Sequence, residues 1–232
     1  MRDATVRLHS PHRIGICILS TALIGLACLS AVLAIVADWR RRGPAFYLFK
    51  PLTTVLIIGL CLAWPGPADA AYRGSILIGL VFCLAGDVFL MGNNNRAFIF
   101  GLVSFLIGHL IFMLAFLQGL AEPVLPLWIF GLLLWGVPLG AILLPRAGAL
   151  MWPVVVYAAV LMGMAVTAAI RFETLGGVSG PSGPMLALLG ALMFVLSDSL
   201  LGIRKFVQPR LDLQPALLLS YWAAIGLIAV SA

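Results

Sequence analysis

Apolar residues along this chain fall into long blocks separated by short polar breaks. The blocks cover residues 14–37, 48–64, 74–91, 97–117, 124–144, 151–171, 184–203 and 213–231. A helix needs about 20 apolar residues to cross a bilayer core, so each block predicts one transmembrane span. The breaks carry turn and breaker chemistry, including Arg42-Gly43-Pro44, Trp64-Pro65-Gly66-Pro67, Gly92-Asn93-Asn94-Asn95, Glu122-Pro123, Leu144-Pro145-Arg146, Gly180-Pro181 and Gln208-Pro209. Pro138 and Pro153 fall within or near helix ends, where neighbouring helices must compensate the lost hydrogen bonds. The first block, Ile14 to Ala37, exceeds the roughly 7–15 residues of a signal-peptide core, and further spans follow it. It is predicted to be a true first helix.

Composition agrees with the pattern. The chain is 63% hydrophobic and 9% charged, with a mean hydropathy of +1.15, against about 25% charged residues in a soluble domain. The expectation is an all-α membrane protein, a bundle of about eight transmembrane helices. Residues 1–13 form a hydrophilic N-terminal segment and 14–232 a single transmembrane domain, with loops too short for a soluble one. The net charge of +6 comes from basic residues at block ends, not from a stripe with interleaved aromatics, so no nucleic-acid partner is expected. Cys17, Cys28, Cys61 and Cys83 lie inside apolar blocks without CxxC spacing, which points to packing rather than disulfides or metal.

Nine Lys and Arg residues fall on the odd-numbered loops (Arg40, Arg41, Arg42, Lys50, Arg96, Arg146, Arg204, Lys205, Arg210) and five on the other side (Arg2, Arg7, Arg13, Arg73, Arg171). The positive-inside rule then puts the odd loops in the cytoplasm and both termini outside. The compact chain suits a cell (inner) membrane. A weak internal echo links GLVFCLAGDVFL (79–90) with GALMFVLSDSLL (190–201), as a parallel four-plus-four duplication would.

Ionisable residues at membrane depth are costly and mark function by default. Asp87 and Asp198 lie near the ends of spans three and seven, at similar depth on the basic side. Helical spacing aligns Asp87 with Gly79 and Cys83, and Asp198 with Gly190, Phe194 and Gly202, with Ser197 beside it. On span four, Gly101, Phe105, His109 and Phe112 share a face with Ser104 and Gly108 at its flanks. Small residues mark close helix contacts, so the Asp and His side chains are predicted to face the bundle. Two partly desolvated carboxylates near each other can divide into a proton donor and an ionised base. The competing structural role is an ion pair of each Asp with Lys50, Arg96 or Lys205. His109 is the only histidine at depth, since His9 and His12 belong to the N-terminal segment; a single His and unspaced cysteines make no zinc site. Lys50, before Pro51 at the start of span two, is a phosphate contact or a snorkelling side chain. Tyr157 and Tyr221 are hydrogen-bond donors or interfacial aromatics. Ser104 and Ser197 lack a GxSxG setting, so serine hydrolysis is not expected.

The order and spacing of these residues resemble the lysoplasmalogenase family of membrane proteins, also called YhhN-like. The resemblance runs from Lys50 onward through Lys50-Pro51, Gly86-Asp87, Leu90-Met91, Phe98, Gly101, Phe105 and Gly108-His109. It continues through Tyr157, Met164, Gly190-Ala191, Phe194, Ser197-Asp198-Ser199, Lys205-Phe206 and Tyr221. It implies an eight-helix hydrolase that splits the vinyl ether of lysoplasmalogen into a fatty aldehyde and a glycerophospho-base. The substrate is then a lysophospholipid within the membrane, and no cofactor is needed. The family carries acidic residues where Asp87 and Asp198 stand. Protonation of a vinyl ether makes an oxocarbenium ion, so one Asp would serve as acid and the other as base. His109 joins them as a site candidate, with Lys50, Arg96, Ser197, Lys205, Tyr157 and Tyr221 as substrate-binding candidates. In the last span the family commonly has Gln four residues after the Tyr, where this chain has Ile225. Span one and Arg40–Arg42 match nothing specific in the pattern. Two other classes stay open: a small proton-coupled transporter and a non-enzymatic lipid-binding membrane protein.

Overall fold

The computed structural model describes residues 11–40, 43–66, 69–92, 94–208 and 213–232. Arg2, Arg7, His9, Arg41, Arg42 and Arg210 lie outside these residues. Eight α-helices follow in order: α1 Pro11–Trp39, α2 Pro44–Ala63, α3 Ala70–Leu90, α4 Asn95–Leu117, α5 Gly131–Leu143, α6 Met151–Thr174, α7 Ser182–Gly202 and α8 Gln214–Val230. Among the described residues, seven helical segments, all but α8, are long and apolar enough to cross a membrane. Helix α8, with 17 residues, is at the short limit of about 17–25 for a span. The outer surface is apolar as well: Leu134 is 83% exposed and Leu114 66%. Among the described residues, side chains of this kind cover the flanks, which makes the chain a multi-pass integral membrane protein.

The helix ends follow the breakers. Pro44 opens α2 at a position where the missing N–H costs nothing. The Asn94 side chain accepts the Ala97 N–H at 2.7 Å and caps α4. Gly176, at φ +103°, takes the left-handed conformation that ends α6. The second span begins four residues before its apolar block. Lys50 is therefore inside α2, not at its start, and Pro51 is an internal proline. Pro51 removes one ladder donor. Nearby, Ser30 of α1 bonds the Phe49 carbonyl at 3.1 Å and Thr53 bonds the same carbonyl at 2.9 Å. Span five differs most from its block: residues 127–130 form a 3₁₀ turn and the α-helix starts only at Gly131.

Helix α3 lies along α4, and α7 along α8; α2 packs on α3 and α8, while α6 packs on α7 and α4. Exchanging α2, α3, α4 with α6, α7, α8 reproduces the same set of neighbours, the arrangement expected of a four-plus-four repeat. The outer helices break it. Helix α1 lies along α2, whereas α5 stands off α6 across a cavity. Lys50 meets Asp87 at one end of the bundle, while Tyr72 and Ser231 meet at the other, with their hydroxyls 2.9 Å apart. The first end also carries Arg96, Arg146, Arg204 and Lys205, and is called the basic end below. Helices α1 and α8 thus have their outer termini at the opposite end. There Arg171 bonds the Gln118 carbonyl at 2.9 Å and lies over the Tyr72 ring.

Glycines set the closest approaches. A Cβ at Gly190 would stand 2.8 Å from the Ala224 carbonyl of α8 and 2.7 Å from Ile228, while one at Gly226 meets nothing within 4 Å. Gly190→Ala should therefore lower stability by about 1–3 kcal/mol, and Gly226→Ala should leave it unchanged or raise it slightly. Unfolding of both variants in detergent micelles measures this; equal midpoints would contradict the close α7–α8 contact.

Candidate active site

The polar residues at depth sort into two sets. On α2, Lys50 and Thr54 are one turn apart on the buried face and point at α3. The Lys50 ammonium sits 3.2 Å from Asp87 Oδ1 and 3.3 Å from the Asp87 carbonyl. Thr54 donates to Asp87 Oδ2 at 2.6 Å, and Tyr221 of α8 donates to the same oxygen at 2.7 Å. Asp87 is only 1% exposed and Lys50 6%. It is a buried ion pair completed by two hydroxyl donors, as a buried charge requires.

The second set is more open. Val195, Asp198 and Gly202 form one stripe of α7, facing α5 across an apolar cavity of about 490 Å³. Tyr157 of α6 donates to Asp198 Oδ2 at 2.5 Å, and both side chains line that cavity. Exposed cavity residues such as Val137 and Ala158 open it sideways, toward the apolar belt. Trp135 of α5 spans the gap, donating its indole N–H to Ser199 Oγ at 3.1 Å.

At the basic end a second cavity of about 290 Å³ is lined by Lys50, Arg204, Lys205 and Gln214 among others. The two cavities share Phe98 and Leu201 as walls. A π-helical turn, Ile203–Val207, ends α7 and carries Arg204 and Lys205, a distortion often found at functional sites. The Lys205 ammonium lies 4.4 Å from the centre of the Phe98 ring, and Arg204 bonds the Gln214 side chain.

Rings link the sets. Tyr221 touches Phe194 with centroids 5.7 Å apart, Phe194 touches His109 at 4.5 Å, and His109 touches Tyr157 at 5.4 Å. His109 is fully buried, and neither ring nitrogen has a hydrogen-bond partner among the described residues. It borders neither cavity.

Of the residues singled out in the sequence, Asp198 and Tyr157 stand at the apolar cavity, and Lys50 and Lys205 at the basic one. Asp87 and Tyr221 are bonded to each other and border neither cavity. Arg96 is exposed on the first turn of α4 and lines neither. Ser197 is buried, with its hydroxyl on the Leu217 carbonyl at 3.3 Å. Sequence reasoning missed Thr54, Trp135 and Gln214, and named Ser199 only within the stretch Ser197-Asp198-Ser199. Arg204 entered only as a topology charge. Thr54 had a usable signal, one helical turn after Lys50. No group of three or more His, Cys, Asp or Glu is placed to hold a metal ion among the described residues.

Fold and polar core together define a helical membrane protein in which a tyrosine holds each of two carboxylates at depth, Asp87 buried and Asp198 on a cavity wall. A YhhN family model matches residues 45–232, and the chain belongs to that family. It is 32% identical over 163 residues to lysoplasmalogenase TMEM86A of Bos taurus, an alignment covering 68% of this chain and 64% of that protein. Lysoplasmalogenase TMEM86A of Homo sapiens is 30% identical over 177 residues, covering 75% of this chain and 69% of the human protein. The membrane protein YhhN of Escherichia coli O157:H7 is 33% identical over 132 residues, covering 55% of this chain and 60% of that one. The chain thus spans a little under two thirds of the bovine relative. No solved structure matches it.

Removing one partner from a buried ion pair strands the other charge and costs about 3–5 kcal/mol. Lys50→Met should destabilise the protein by that order, and adding Asp87→Asn to it should recover much of the loss. Unfolding in micelles of the two single variants and the double tests the coupling; simple additivity would show that the pair contributes no mutual stabilisation.

Proposed function

We propose that this chain is a membrane-embedded hydrolase that cleaves the vinyl ether bond of lysoplasmalogen, giving a fatty aldehyde and a glycerophospho-base. The observation that carries the reading is the Tyr157–Asp198 pair on the wall of an apolar cavity that abuts a basic one. An amphiphile with one chain and a phosphate headgroup has the same division of chemistry. The relatives named lysoplasmalogenase support the substrate class.

Its position on the cavity wall supports Asp198 as the group that carries the chemistry. Its carboxylic acid donates a proton to the β-carbon of the vinyl ether, and the α-carbon becomes an oxocarbenium ion stabilised by the carboxylate left behind. Water adds to that carbon and returns a proton to Asp198. The hemiacetal then collapses to aldehyde and alcohol, so one carboxylate serves as acid and then as base. Tyr157 holds the carboxyl in place. Asp87 borders neither cavity, and its role is to position Lys50, a wall residue of the basic cavity with Lys205, for the phosphate. Tyr221 and Thr54 fix Asp87. Arg96, Ser197 and His109 have no substrate contact in this mechanism; His109 packs behind Tyr157. The basic end faces the cytoplasm by the positive-inside count.

The test is aldehyde release from 1-alkenyl-lysophosphoethanolamine by the purified protein. Asp198→Asn should lower turnover by about 10²–10⁴-fold, the usual contribution of a general acid-base group. Tyr157→Phe should lower it by about tenfold, the equivalent of one hydrogen bond. Full turnover in Asp198→Asn would remove Asp198 from the mechanism. A folded parent that releases no aldehyde across lysolipid headgroups would replace the hydrolase with lipid binding alone.

A further inference from the structure

The cavity between α5, α6 and α7 has features that the hydrolase reading does not by itself explain. Its walls are almost wholly apolar, and among the described residues Asp198 is the only carboxyl on them. Two wall positions on α5, Gly136 and Gly140, carry no side chain, and a Cβ at Gly140 would meet nothing within 4 Å. A Cβ at Gly136 would stand 3.3 Å from the tip of Met162 on α6, so the cavity narrows at that level. Gly136 lies nearer the middle of the membrane than Gly140, because α5 runs toward the basic end. A side chain at Gly140 would thus meet open space, while one at Gly136, one turn deeper, would reach Met162. The basic cavity continues across Phe98 and Leu201 with Lys50, Lys205 and Gln214.

We propose that the α5–α6–α7 cavity is the seat of a single hydrocarbon chain. The methylenes nearest the headgroup lie between Gly140 and Ala158, the rest of the chain leaves sideways into the bilayer, and the anionic headgroup occupies the adjoining basic cavity. The lipid enters through the gap where α5 stands off α6. The width left by the bare Gly140 wall is what admits the chain, and Gly140 is a specificity-determining position. This assignment rests on the hydrolase reading for the identity of the lipid, and its geometry is tested separately.

The probe is a 1-O-alkyl-lysophosphoethanolamine with a saturated, uncleavable ether and a diazirine on one of the first chain carbons. It is photolysed with the purified protein in micelles, and the labelled peptides are mapped by mass spectrometry. The expected result is labelling within residues 133–144 and 154–162, competed by unlabelled lysolipid and reduced about tenfold or more by Gly140→Phe. Ala158→Phe, an exposed position on the facing wall, gives a second obstruction should Gly140→Phe not fold. Labelling spread over lipid-facing α1 and α4, insensitive to competitor and to both variants, would overturn the proposal. Aldehyde release by the parent, measured in parallel, separates the two readings. Competed cavity labelling without aldehyde keeps the seat and overturns the hydrolase. Aldehyde release that neither obstruction slows, together with uncompeted labelling, keeps the hydrolase and overturns the seat.

Discussion

A polar side chain carried into a bilayer must be satisfied by the protein itself, because hydrocarbon offers no hydrogen bonds. That requirement organises the inside of this molecule. Lys50 and Asp87 cancel each other's charge, and Thr54 and Tyr221 fill the remaining oxygen sites. Asp198 is held by Tyr157. Ser30 and Thr53 bond to each other at 2.9 Å and both reach the Phe49 carbonyl beside Pro51. Each pair joins two different helices, so satisfying a polar group also fixes how those helices stand. The Trp222 indole N–H and His109 depart from it among the described residues, His109 most of all, buried between rings with both nitrogens unpaired.

Much of this was legible in the chain. The apolar blocks located the helices, because backbone satisfaction in lipid leaves few alternatives to helix. The rarity of charge at depth singled out Asp87 and Asp198, and the small residues one turn away put Asp87 on an inward face. What sequence could not supply was rotation and standoff. Asp87 and Asp198 occupy matching places in their helices, yet one is sealed by α2 and α8 while the other borders a gap, because α1 closes on α2 and α5 does not close on α6. The expected division of acid and base rests on two carboxylates at similar depth; of the two, Asp198 borders the apolar cavity and Asp87 does not. The apolar block that begins at Leu48 predicts Lys50 at a helix start; Pro44 starts the helix earlier and draws the lysine inside. Thr54, Gln214 and Trp135 are ordinary residues in such a sequence, and only their partners across helices give them meaning.

The family-matched segment begins at residue 45 and leaves α1 outside it. Helix α1 is nonetheless joined to the rest through small residues, with Ala27, Ala31 and Ala34 buried and Ser30 bonded into α2. It buttresses the helix that carries Lys50. Ile225, at the position where the resemblance calls for glutamine, is fully buried one turn beyond Tyr221. An apolar side chain there fills core volume and asks for no partner, consistent with a polar network that ends at Tyr221 and Asp87.

The standoff of α5 also decides what concentration means for this protein. A cavity that opens sideways exchanges with a two-dimensional phase, not with water. Its occupancy follows the mole fraction of ligand within the membrane or micelle, so adding inert detergent thins the supply while the bulk molarity stays fixed. Encounter then depends on lateral diffusion and on bilayer thickness and fluidity around α5, and the surrounding lipid becomes a participant in the protein's kinetics.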